Sequence, residues 1–200
     1  MIKSEPESTK GRDNNAINLF EVNKTALIII DVQEKLIKGI PNSENMIFNL
    51  SKVSDACQLL DVSTFYSEQN PQKLGNTIGE LIKVRGSNIF PKMSFSCYAC
   101  NGLIKELELR KIENILITGV ETHVCIMQSA FDFYRYGFNV QVISDAVMSR
   151  KSFDHNMAID RMANSGITIS SSEMAIFELC KTASNSRFKE VSKIIKRIRE

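Results

Sequence analysis

The chain has 200 residues, 43% hydrophobic and 24% charged, a composition that excludes global disorder and suffices for one full-sized core without disulfides or metals. Its 25 Lys and Arg face 23 Asp and Glu, and a net charge of +2 excludes a dedicated nucleic-acid binder. The longest apolar run, Ala26–Ile30, is far short of the ~20 residues that cross a bilayer, so no membrane partner is expected.

The opening MIKSEPESTKGRDNN has no apolar core and does not read as a secretory signal. Residues 1–22 are polar, with Pro6, Gly11 and the pair Asn14-Asn15, and predict a loose tail; residues 23–200 predict a single domain. Five cysteines at irregular spacing read as reduced thiols in a cytoplasmic protein. Apolar or β-branched runs at Thr25–Asp31, Ser63–Ser67, Asn88–Phe90, Asn114–Gly119, Asn139–Ser144 and Gly166–Ser170 predict six strands. Helical periodicity runs over Ser43–Leu60, Leu103–Leu109, Val124–Tyr136, Phe153–Asn164, Ser172–Leu179 and Phe188–Ile198. ALIII and ILITGV are continuous rather than alternating apolar runs, as in parallel strands covered on both faces. Strands separated by helices then give a three-layer α/β/α fold, Rossmann-like, with a six-stranded, mainly parallel sheet. Ligands in such folds bind beyond the carboxyl ends of the strands, which directs attention to the residues found there.

Three of those residues bear reactive groups. Asp31 ends the first apolar run; it reads as a helix cap, a loop ion pair or a catalytic carboxylate. Cys125, in ITGVETHVCIMQSAFDFY, falls in the first turn of a helix that follows the fourth run. Free N–H groups at a helix start favour a thiolate and can stabilise an oxyanion, although Cys is also a common buried apolar residue. Lys92 follows the third run; it is a solvated loop residue or, if buried beside the other two, their charge partner. A thiol, a carboxylate and an ammonium at one sheet edge form the logic of a nucleophile, a base and an orienting charge.

ALIIIDVQEKL, the lysine of IFPKMSFS and the segment GVETHVCIMQSAFDFYRYGFNVQVISDAVMSR together resemble the isochorismatase-like cysteine hydrolases. SEQNPQKLG and SEMAIFELC are similar to the isochorismatase domain-containing subgroup. The resemblance, from about Thr25 to at least Leu179, implies a six-stranded parallel sheet and the triad Asp31, Lys92 and Cys125. It implies that the Asp takes the thiol proton, that the thiolate attacks a carbonyl, and that a Cys-bound acyl intermediate is hydrolysed, with ammonia the usual leaving group. It also implies a non-proline cis peptide at Val120–Glu121 and an oxyanion hole from the backbone N–H groups of Glu121 and Cys125. Nicotinamidases of the wider family hold a metal with an Asp and histidines after the second strand. Here STFYSEQNPQKLGNT has no His, and only His123 and His155 occur in the chain, so no metal or cofactor is expected. True isochorismatases lack the nucleophilic Cys, so Cys125 directs the reading to amide or related acyl chemistry.

Other residues carry weaker signals. Gln33 and Gln69 follow the first and second strands and are candidate substrate contacts or ordinary surface polar groups. Phe95, with Phe90 and Tyr98, is an aromatic wall or core. Thr122 is a helix N-cap or a hydroxyl donor to substrate, and Glu121 and His123 read as loop and rim groups. Asp145 is expected to cap a helix. Cys97-Tyr-Ala-Cys100 lacks the second pair of a zinc ribbon and reads as incidental thiols near the site. The basic C-terminal helix is expected to pack on the domain or on a neighbouring subunit. The resulting expectation is a metal-independent cysteine hydrolase with a small-molecule amide or acyl substrate, working as a homo-oligomer. Two alternatives stay open: a non-catalytic binding or regulatory protein, and a redox-responsive thiol protein.

Overall fold

The computed structural model describes residues 19–82 and 88–199. The tail predicted over residues 1–22 lies mostly outside them, but its end does not hang free. Phe20 is buried in the core and its N–H meets Glu178 Oε1 at 2.7 Å, so the packed unit starts before residue 23.

Six strands form one sheet: β1 Thr25–Ile30, β2 Ser63–Gln69, β3 Ile89–Lys92, β4 Asn114–Val120, β5 Asn139–Met148 and β6 Thr168–Ser170. They lie in the order β3-β2-β1-β4-β5-β6, and every neighbouring pair is parallel. β1 is buried at all six residues, which explains its unbroken ALIII run. Leu27 and Ile29 point into one hydrophobic layer; Ala26, Ile28 and Ile30 point into the other. The first layer is filled by α2 (Glu44–Leu59), α7 (Ser172–Cys180) and α8 (Phe188–Ile195). The second is filled by α4 (Leu103–Leu109), α5 (Met127–Arg135) and Met162 of α6 (Ser152–Asn164). The result is the three-layer α/β/α fold. α8 packs on its own domain through Val191 and Ile194 while its Lys residues face outward.

Two short helices, α1 (Glu34–Lys38) and α3 (Pro71–Leu74), have no counterpart in the periodicity, because five and four residues are too few to display a 3.6-residue repeat. β3 is an edge strand, which suits Pro91, and it extends to Lys92; the lysine ends the strand instead of following it. β5 also runs on past its predicted end at Ser144, to Met148.

The strand order reverses direction between β1 and β4, and in open α/β sheets ligands bind beyond the carboxyl ends of the strands at such a switch point. The two strands come very close there. Gly119 has φ +114°, and a Cβ built on it would lie 2.1 Å from the Ile30 carbonyl oxygen, so only glycine fits.

Candidate active site

The chain leaves β1 at Asp31 in a left-handed turn, φ +53°, with its N–H donated to the Ser67 carbonyl of β2. Asp and Asn tolerate this conformation better than most side chains, and it aims the carboxylate across the switch point. Asp31 is fully buried. Its Oδ1 accepts from Ser67 Oγ at 2.7 Å and its Oδ2 from Lys92 Nζ at 2.6 Å. The Lys92 ammonium also donates to Gln69 Oε1 at 2.8 Å and to the Ser94 carbonyl at 3.3 Å, and it lies 3.6 Å from Cys125 Sγ. The structure thus brings together three groups from the ends of β1, β3 and β4.

Cys125 differs from expectation in two ways. After β4, Thr122–Ile126 forms a π-helical turn, with the Ile126 N–H directed to the Glu121 carbonyl; α5 begins only at Met127. Such turns recur at functional sites. The N-cap position falls on Glu121, whose side chain makes no capping hydrogen bond, and not on Thr122. The thiol is not tuned as a helix start alone predicts. Burial pushes its pKa up and the adjacent Asp31 carboxylate pushes it further, while Lys92 opposes both without cancelling them. In the resting site Cys125 is therefore a thiol. Burial likewise works against the Lys92 ammonium, but Asp31 and the neighbouring Cys97 and Cys125 outweigh it and hold the amine above its ordinary 10.5.

The other predicted contacts are placed differently. Gln33 is wholly buried, and its amide is engaged with backbone: it donates to the Gln69 and Gly75 carbonyls and accepts from Gln69 N–H. It clamps the β2–α3 connection. Gln69 holds Lys92 with its oxygen and the Met93 carbonyl with its nitrogen. Thr122 is fully buried, with Oγ1 2.9 Å from His155 Nδ1. Phe95 is exposed, three residues beyond Lys92, and is not part of the core. His123 turns to Ser149 Oγ at 2.9 Å, and Asp145, inside β5, caps α7 at Ser172. The peptide Val120–Glu121 is cis.

Two serines escape sequence reasoning. Ser67 bridges Asp31 to Cys97, whose Sγ lies 3.2 Å from the same hydroxyl. Ser129 donates to the Cys125 carbonyl at 2.6 Å and accepts from Cys97 N–H at 2.9 Å, tying the loop after β3 to the cysteine turn. Ser67 is the last residue of a predicted strand, which is the only signal it offers. All five cysteines are buried and free, and no metal-holding cluster occurs among the described residues.

The chain is thus a doubly wound, parallel α/β protein with a carboxylate, an ammonium and a thiol gathered at the switch point of its sheet. The isochorismatase-domain model matches residues 25–174, and the chain belongs to the isochorismatase family. It is 35% identical to isochorismatase family protein 1B of Dictyostelium discoideum over 182 residues, 88% of each chain. It is 35% identical over 183 residues to a protein named secreted isochorismatase effector Isc1 from Phytophthora sojae, covering 86% of this chain and 84% of that one. A solved structure called MAR1 ribonuclease from Caenorhabditis elegans superposes with a TM-score of 0.83 at 32% identity, over 90% of this chain and 93% of that one.

Proposed function

We propose that this protein is a cysteine-dependent hydrolase of small amides or related acyl compounds, with Cys125 as nucleophile, Asp31 as general base and Lys92 as charge partner. The observation that carries the reading is the placement of one buried ammonium 2.6 Å from the carboxylate and 3.6 Å from the sulfur. Asp31 takes the thiol proton as Cys125 attacks the substrate carbonyl. Negative charge moves from carboxylate to sulfur and then to the carbonyl oxygen, while Lys92 keeps the buried site neutral overall. The backbone N–H groups of Glu121 and Cys125 receive the oxyanion. Collapse expels ammonia or an amine, which takes the proton from Asp31 and leaves a thioester on Cys125. Water, deprotonated by Asp31, then attacks the thioester, and the acid leaves as the thiol is restored. The sum is amide plus water giving acid plus ammonia, and it needs no cofactor.

A raised resting thiol suits this scheme, because deprotonation is coupled to substrate binding. Cys125 is only 7% exposed, which favours a small substrate over a nucleic-acid strand. Gln33, Gln69 and Thr122 are assigned to holding the site, and Phe95 to its rim. Exposed Met93 and Phe95 beside Lys92 give a second copy an apolar surface near the site opening, consistent with a homo-oligomer. Five free thiols fit a reducing cytoplasm; no helix among the described residues is long and apolar enough to cross a membrane. Ammonia release from a panel of small amides tests the reading, with Cys125→Ala and Asp31→Asn expected to abolish it. Full turnover by Cys125→Ala would overturn it.

The same raised thiol favours a second reading, a binding protein on this scaffold, in which Cys125 is merely buried. Acyl transfer separates the two: p-nitrophenyl acetate should acylate a catalytic Cys125 in a burst that Cys125→Ala abolishes, and leave a merely buried thiol unacylated.

A further inference from the structure

The segment that carries the oxyanion-hole backbone is held from one side by a single connection. Glu121, Thr122 and His123 are consecutive, and each is bonded to a residue between Ser149 and His155, where the chain passes from β5 into α6. The Arg150 N–H donates to Glu121 Oε2 at 2.9 Å, and its guanidinium lies 3.8 Å from Oε1. Ser149 Oγ lies 2.9 Å from His123 Nδ1 and accepts from His123 N–H at 3.4 Å. Thr122 Oγ1 meets His155 Nδ1 at 2.9 Å. The β4–β5 ladder ends at Val120 paired with Met148, so these contacts continue side by side what the sheet stops providing. Of the three, the Thr122–His155 contact is the most enclosed. Thr122 is fully buried, and burial lowers the pKa of half-buried His155, which favours its neutral ring.

We propose that His155, acting through Thr122, is a positioning residue that sets the direction of the Glu121 and Cys125 N–H groups toward the substrate oxygen. The inference rests on the hydrolase reading above and adds a residue from α6 that lies 30 positions beyond the nucleophile in sequence. Its physical content is that oxyanion stabilisation depends steeply on donor geometry, so releasing one side of the loop weakens it while leaving thiol ionisation, set by burial, Asp31 and Lys92, untouched.

Two reagents separate these effects without knowledge of the natural substrate. Iodoacetamide alkylates Cys125 by displacement at carbon and forms no oxyanion. p-Nitrophenyl acetate acylates it through a tetrahedral oxyanion and releases p-nitrophenol in a burst. His155→Ala and Thr122→Val are expected to slow the burst by about tenfold or more. Alkylation of Cys125 should stay within about twofold of wild type, since no oxyanion hole is used there. His155→Asn, whose amide can occupy the Nδ1 position, should recover most of the loss. His155 also lines a cavity of about 450 Å³ with Asn49 and Ser152, so a smaller side chain displaces no core group. The double variant should be no slower than the slower single one, because both substitutions break the same contact. Equal slowing of both reactions would reduce His155 to a folding role and overturn the proposal, as would an unchanged burst. Absence of any burst in wild type, with Cys125 still alkylated, would overturn the hydrolase reading and this inference with it.

Discussion

Ser67 Oγ lies 2.7 Å from Asp31 Oδ1, on the oxygen opposite the one held by Lys92, so the carboxylate is fixed at both ends before any substrate arrives. The same hydroxyl receives Cys97 Sγ, which makes Ser67 the node between the Asp31 carboxylate and a second buried thiol. Ser67→Ala removes a buried hydrogen bond and frees Asp31 to rotate. A stability loss of about 1–3 kcal/mol is expected, with a slower p-nitrophenol burst. Urea denaturation and burst kinetics on one preparation measure the two effects, and wild-type burst kinetics would show that Lys92 alone orients the Asp31 carboxylate.

Lys92 neutralises Asp31 in an ion pair whose side chains are 1% and 0% exposed. Lys92→Ala leaves that carboxylate uncompensated and should cost about 3–5 kcal/mol. Adding Asp31→Asn should restore part of the stability, because the stranded charge disappears. Lys92 is also the group that holds the Cys125 pKa down against burial, so its loss should move the alkylation midpoint to higher pH.

Gly119→Ala places a methyl carbon 2.1 Å from the Ile30 carbonyl oxygen at a φ that disfavours any side chain. A loss of at least about 3 kcal/mol, or failure to fold, is expected. Gly79→Ala is the control, since nothing lies within 4 Å of the Cβ built there. Similar denaturation midpoints for the two variants would mean that β1 and β4 separate more easily than their packing indicates.

Alkali should destabilise the fold in a defined window. Burial raises the Cys57 thiol from 9.0 to about 12, and Cys125 and Lys92 are raised as well. A raised pKa means that the folded state keeps a proton the unfolded chain releases. The thiol contributions are then full below about pH 9 and fall as pH rises toward 12, by up to about 1.4 kcal/mol per pH unit for each thiol, and that of Lys92 begins to fall only above 10.5. Cys57→Ala should flatten this limb in urea denaturation followed from pH 8 to 11, and an unaltered slope would show that Cys57 does not carry it.

The sequence by itself determined the alternation of strands and helices, the parallel sheet and the three polar residues at its carboxyl edge. Those features are written in local periodicity: ALIII and ILITGV are apolar on both faces because both faces are covered. The ITGVETHVC segment also placed the cysteine at a strand-to-helix turn. Only the tertiary structure decided how the edge is wired. Lys92 meets Asp31 across 61 positions and Cys125 across 33, and neither separation is encoded in a repeat. Gln33, read as a substrate contact or surface group, is buried as a clamp, and Ser67 and Ser129 proved central although neither stands in a recognisable pattern. Cys125 shows the physical reason most directly. A helix start by itself lowers a thiol pKa, yet the depth of burial and the charge of Asp31 set its final direction, and both arise only when distant strands come together.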